Sequence, residues 1–190
     1  ADAFDITRVN PNPARFDLAK CEAINGTWIR RIDVADLADC LVSFMLGQGS
    51  LASADGTAAD LVRAGALLVQ ERVSTLAEAA AMLDFLIVSD DDLVVEAEAR
   101  SALKANAAEV LAATRAALAE VTDFSAATIE QALRAAVVDG LGIKPRLAFG
   151  PARVAVTGRR VSPPLFESME LLGRDSTLAR LDALSAQVVA

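Results

Sequence analysis

The chain has 190 residues, 54% of them hydrophobic, 23% charged and 4% aromatic, with a net charge of −8 and no histidine. That apolar fraction supports a sizeable core and excludes wholesale disorder; the lack of His excludes Ser-His-Asp, Cys-His and His-metal chemistry. No apolar run reaches the roughly 20 residues of a membrane span, and Ala1-Asp2-Ala3-Phe4-Asp5 has neither the basic nor the apolar region of a signal peptide. With Ala in place of an initiator Met, a piece of something longer is expected.

Ala-rich sequence with Leu, Glu and Arg predicts helix almost throughout. Asp17 opens a helix to about Arg31, with Leu18, Cys21, Ala23, Ile24 and Trp28 as its apolar members. Asp33 is a good N-cap for the next, whose Leu37, Cys40, Leu41, Phe44 and Met45 recur at three and four, and Gly47-Gln48-Gly49-Ser50 stops it. Cys21 and Cys40 form no CxxC motif and read as reduced cytosolic thiols. Thr57 starts a helix to about Val73, and Thr75 with Glu78 makes a capping box for one to about Leu86. Ser89-Asp90-Asp91-Asp92 reads as a joint between helical units. Beyond it a long helix is expected over roughly 105–121. Ser125 caps another with Ile129, Leu133 and Val137, closed by Gly140 and Gly142. One further segment runs from Lys144 to Val156, broken by Thr157-Gly158. Ser162-Pro163-Pro164 starts a helix through Leu165, Phe166, Met169 and Leu172 to Gly173, and Asp175 caps the last.

Charge is unevenly spread. Residues 1–31 carry +1, residues 33–139 carry −12, residues 144–174 carry +4 and the tail −1. A polyanion would not be drawn to the molecule as a whole, but the basic stretch suits one. A solvated face with chance clustering is the plain alternative.

Three segments near the end, Arg153-Val154-Ala155-Val156-Thr157-Gly158, Ser162-Pro163-Pro164-Leu165-Phe166-Glu167 and Leu171-Leu172-Gly173-Arg174, together resemble the C-terminal signature of bacterial glutamyl-tRNA synthetases. Asn12-Pro13-Ala14-Arg15-Phe16-Asp17 and Ala23-Ile24-Asn25-Gly26-Thr27-Trp28-Ile29-Arg30 are similar to that family's stem-contact segment. Arg72, Leu76 and Phe124-Ser125-x-x-x-Ile129-Glu130 fall in family order. The resemblance covers nearly the whole chain, most closely at its two ends. It implies an all-α fold: helical anticodon-binding domains of a class I aminoacyl-tRNA synthetase, preceded by the end of a stem-contact domain. The implied divisions are 1–46 for the stem-contact end, 47–92 for a first helical subdomain and 93–190 for a second. It also implies a cytoplasmic, monomeric parent that joins glutamate to tRNA(Glu) with ATP and Mg and binds neither DNA nor membrane. The family's His-x-Gly-His-like and Lys-x-Ser-Lys-like motifs are missing: there is no His, and Lys20, Lys104 and Lys144 are isolated. Gly47-x-Gly49 follows a helix, not a strand, and reads as a helix stop. The chain alone is therefore expected to be inactive, with no cofactor or metal of its own.

By that resemblance, anticodon bases are read by Arg153, Ser162, Pro163, Leu165, Phe166 and Arg72, and the tRNA backbone is touched by Arg159, Arg160, Arg15, Lys20 and Arg30. The residue types suit RNA, whose unstacked loop bases are what proteins read. A guanidinium hydrogen-bonds a base edge or stacks on its face. A Pro-started helix leaves free amides, an apolar wall accepts a splayed base, and phosphate contacts position without specifying. Spacing alone equally fits Leu165 and Phe166 as core, Arg72 as an ion pair with Glu71 or Glu78, and Trp28 as packing with Ile24 and Cys21. The alternative for the whole chain is a helical protein-interaction module without RNA binding, which the acidic middle favours.

Overall fold

A computed structural model describes residues 17–189, all of whose regular elements are helical. Asp17 accepts the Lys20 amide at 3.1 Å and starts α1 (Leu18–Ile29); Asp33 accepts the Ala35 amide at 2.8 Å and starts α2 (Val34–Gly47). Next come α3 (Thr57–Val69) and α4 (Leu76–Leu83), the latter continued by a 3-10 turn over Asp84–Leu86. The capping box of α4 is complete. Thr75 Oγ1 accepts the Glu78 amide at 3.1 Å, and Glu78 Oε2 accepts the Thr75 amide at 3.3 Å. Thr75→Ala is expected to lower stability by about 1 kcal/mol in urea unfolding.

Beyond the Ser89–Asp92 joint lie α5 (Ala97–Ser101), α6 (Ala107–Ala119), α7 (Ala126–Leu133) with a π-type turn over Arg134–Asp139, α8 (Pro145–Ala148), α9 (Gly150–Thr157), α10 (Leu165–Leu172) and α11 (Arg174–Val189). Short α5 has no counterpart in the expected elements, and three expectations need correction. The segment from Lys144 to Val156 is two helices that meet at Phe149, because Pro151 lacks an amide and its ring would strike the Leu147 carbonyl of a continuous helix. Ser162 does not cap α10: the N-cap position is Pro164, and the Ser162 hydroxyl is used elsewhere. Asp175 does not cap α11 but lies in its first turn, where a carboxylate suits the helix dipole.

Leu37, Leu41 and Met45 of α2, Val62 and Val69 of α3, and Leu83 of α4 pack into a first lobe; α6, α7, α9, α10 and α11 form a second. The core is continuous from Ile29 to Leu184 because α3 also meets α10. The expected divisions at 46/47 and 92/93 fall at the end of α2 and just after Ser89–Asp92. A smaller cluster of Val110, Val137 and Ala148 closes the far end beside Phe149.

Helix α1 docks through Gly26 and Ile29, its buried residues, and through Asn25 Nδ2, which donates to the Ser74 carbonyl. Gln70 Nε2 donates to the carbonyls of Ile29 and Ile32 at 3.0 and 2.8 Å. That docking face turns the Ile24–Trp28 stripe away from the lobe. Trp28 is 67% exposed rather than packed with Ile24 and Cys21.

Arg180 on α11 is 2% exposed. Its Nε donates to Asp90 Oδ1 at 2.6 Å, its Nη1 to the carbonyls of Phe85 and Val156 at 2.9 Å each, and its Nη2 to the Val88 carbonyl at 3.0 Å. One buried guanidinium thus ties the end of the first lobe, the joint and α9 together. The rigid fork of donors explains why Arg, and not Lys, fits here.

Candidate nucleic-acid interface

The turn after α9 brings the basic stretch against the acidic middle. Gly158 has φ +71°, and an added Cβ would run into the Val94 carbonyl oxygen, while the Glu96 amide donates to the Gly158 carbonyl at 2.9 Å. Gly158→Ala combines a strained backbone with a steric clash. It is expected to cost about 1–3 kcal/mol, read as a lowered urea midpoint. Next along, Arg159 pairs with Asp84 at 2.8 Å and Glu96 at 2.9 Å and also donates to the Ala81 carbonyl. Arg160 pairs with Glu98 at 2.8 Å. Both guanidiniums expected at the RNA backbone are thus engaged by carboxylates of the chain itself, and Arg159 fastens the turn to the first lobe.

Burial raises the Asp84 carboxyl above its ordinary range, against the pull of Arg159. A raised native value means that Asp84 contributes most below the ordinary carboxylate range, and that this is lost as pH rises through the raised value. A carboxyl titration followed by NMR is expected to place Asp84 above an unperturbed Asp, and Arg159→Gln should raise it further.

Arg153 has a different setting. It projects from α9, half-buried, and its Nη1 donates to Ser162 Oγ at 2.5 Å and to the Pro163 carbonyl at 2.9 Å. Both acceptors are neutral, and among the described residues no carboxylate comes within ion-pair distance. Burial first, and the positive charge of Arg72 second, hold its pKa below the ordinary guanidinium range. The fold has therefore brought Arg72, beyond the end of α3, into the field of Arg153 in the other lobe. Arg72 itself is exposed and, among the described residues, makes no ion pair with Glu71 or Glu78. An anion placed here would relieve both the desolvation of Arg153 and its repulsion from Arg72.

The remaining expected residues divide between latch and core. Ser162 and Pro163 are buried, and the Ser162 hydroxyl, besides accepting from Arg153, donates to the Pro163 carbonyl at 3.0 Å. They hold the arginine in place. Leu165 is 3% exposed and belongs to the core. Phe166 is half-buried and packs edge-on against Phe149, ring centroids 5.3 Å apart. Phe149 in turn lines a cleft of about 450 Å³ between the α5–α6 link and α8–α9, bounded also by Arg153, Arg160, Lys104 and Leu147. Lys20 and Arg30 are exposed at the two ends of α1, and Arg15, with most of the Asn12–Asp17 motif, lies outside the described residues.

Residues 34–184 match the family model described as the anticodon binding domain. The chain belongs to this family. Among relatives, the glutamate–tRNA ligase of Kineococcus radiotolerans is 52% identical over 185 residues, covering 97% of this chain and 37% of that protein. That of Kocuria rhizophila is 51% identical over 188 residues, covering 98% and 37%. A solved glutamate tRNA ligase from Elizabethkingia meningosepticum superposes with a TM-score of 0.74 at 18% identity, over 97% of this chain and 35% of that one, and shows that the fold is shared. The chain spans about 37% of the length of these curated relatives. Membership of the anticodon-binding family favours RNA recognition over the interaction-module alternative.

Three residues of this anticodon-binding domain were not picked from sequence. Phe149 lines the cleft in front of Phe166, and Lys104 faces it from the α5–α6 link. Arg180 ties Phe85, Val88 and Asp90 to Val156 of α9. A Phe four residues before Arg153 on a Pro-interrupted helix was a visible signal. Lys104 and Arg180 had none, since both depend on contacts between distant segments.

Proposed function

We propose that this chain is the anticodon-recognition portion of a bacterial glutamate–tRNA ligase, with tRNA(Glu) as its partner, acting in the cytoplasm within a monomeric enzyme. The observation that carries this reading is Arg153: a half-buried guanidinium oriented by Ser162 and Pro163, met by no carboxylate among the described residues and feeling the positive charge of Arg72. Such an arginine is pre-oriented to hydrogen-bond an unstacked base or a phosphate, and it keeps its charge while doing so. Its contribution is differential binding: the correct anticodon is held and others are rejected. Arg72 joins it at this site, and Lys20 and Arg30 extend the contact to the backbone along α1.

The motifs that the resembled family uses for ATP and Mg are missing here: the chain has no histidine, and its lysines stand apart at 20, 104 and 144. The joining of glutamate to tRNA is accordingly assigned to the part of the ligase that this chain does not span. The test is a filter-binding comparison of the 190-residue chain with tRNA(Glu) and with the same tRNA carrying altered second and third anticodon bases. Tighter binding of the unaltered tRNA, weakening steeply with salt, is expected. Equal binding of both would overturn the reading.

A further inference from the structure

The cleft in front of Phe149 has a charge character that sets it apart in an acidic molecule. Lys104, Arg153 and Arg160 line it, and among the described residues no Asp or Glu does. By contrast, the cleft of about 480 Å³ between the joint and Arg159 is lined by Asp84, Asp92 and Glu96, and the one beside α7 by Glu130 and Asp139. Arg160 is partly neutralised by Glu98. Lys104 is exposed and has no ion-pair partner among the described residues. Asn106 also lines the cleft, the rest of its wall carries no polar side chain, and Leu147, from the short α8, is 48% exposed. Its volume lies within the roughly 300–1,000 Å³ of sites that enclose small ligands.

A lining that combines three cations with Leu147 and Phe149 matches one chemical class well: a planar base joined to a phosphate. We propose that this cleft holds one unpaired nucleotide of the RNA, next to the nucleotide that Arg153 contacts, with its base against Leu147 and Phe149 and its phosphate on Lys104. The proposal rests on the RNA-binding reading above and adds two residues, Lys104 and Leu147, that neither the motif resemblance nor the latch around Ser162 includes. It also gives the break at Phe149 a consequence. Two short helices meeting there put Leu147 and Phe149 on the same wall, which one straight helix would not do.

The test uses the 190-residue chain and a stem-loop RNA carrying the anticodon loop of tRNA(Glu), with affinity measured by fluorescence anisotropy across a series of KCl concentrations. Lys104→Ala is expected to weaken binding several-fold at low salt and to reduce the slope of log affinity against log salt by about 1, the signature of one lost phosphate contact. Leu147→Ser is expected to weaken binding about fivefold with the slope unchanged, as loss of a base platform does. An abasic substitution at the loop position that occupies the cleft should abolish the Leu147→Ser effect while leaving the Lys104→Ala effect in place. Both side chains are exposed, so neither variant should shift the melting temperature. If the unsubstituted chain binds while both variants bind equally well with the same slope, the cleft assignment is wrong and the RNA reading survives. If the unsubstituted chain does not bind the RNA, both fall.

Discussion

Arg180→Ala is expected to lower the free energy of unfolding by about 3–5 kcal/mol, because it leaves Asp90 without its partner and three carbonyls without a donor, those of Phe85 and Val156 in buried bonds. For a domain whose total stability is of order 5–15 kcal/mol, that is a third or more. Far-UV circular dichroism in urea measures it. Arg180→Lys should recover little: an ammonium brings the charge, but three donors on a point cannot satisfy four acceptors spread over three segments. Asp90→Asn should cost less than Arg180→Ala, since the Asp90 side chain is 32% exposed and the three carbonyls keep their donors. The position of the residue also sets the form of the transition. Arg180 joins the end of the first lobe to α9 and α11, so its loss should split a single unfolding transition into two, the lobes then melting separately. A loss below about 1 kcal/mol with a single transition retained would show that hydrocarbon contacts between α3 and α10 hold the lobes by themselves.

What could be read from the sequence was what local rules decide. Asp17, Asp33 and Thr75 mark helix starts because a side-chain oxygen satisfies an amide two or three residues away, and all three do so in the structure. Ile129, Leu133 and Val137 recur at the helical period and are all buried. Local rules misled where a longer-range partner won. Ser162 has the composition of a cap but serves Arg153. Trp28 has the spacing of a packed residue, but the tie of Asn25 and Gly26 to the Ser74 region decides which face of α1 docks. The basic stretch at residues 144–174 looked uniformly available to a polyanion. In space, Glu96, Asp84 and Glu98 from the acidic middle take Arg159 and Arg160, so of that stretch Lys144, Arg153 and Arg174 are left without an ion pair among the described residues. Charge counted along a chain cannot reveal which cations are already matched, because matching depends on segments roughly 60–80 residues apart meeting at one turn.

The two buried or half-buried arginines make opposite predictions, and that contrast separates scaffold from site. Arg153→Ala is expected to weaken RNA binding by about 1–3 kcal/mol, the range for an arginine reading a base edge, while leaving folding stability unchanged or slightly raised. The reason lies in what its removal leaves behind. The Pro163 carbonyl still accepts from the Ser162 hydroxyl, so no buried acceptor is orphaned. A partly desolvated cation repelled by Arg72 also disappears, and with it the electrostatic strain that lowers the Arg153 pKa. Charge held in an unfavourable place without a partner is the form that stored strain takes at binding sites, where the ligand supplies the missing counter-charge. Arg153→Lys should keep the salt dependence of binding but lose discrimination among anticodons, because a point charge cannot reproduce the two-pronged geometry of a guanidinium. Ser162→Ala, which removes the orienting acceptor but not the charge, should fall between wild type and Arg153→Ala in affinity. Unfolding curves and anisotropy titrations on the same preparations provide the check. If Arg153→Ala unfolds several kcal/mol more easily and binds RNA as tightly as wild type, the residue is a structural tie like Arg180 and the interface must be sought elsewhere.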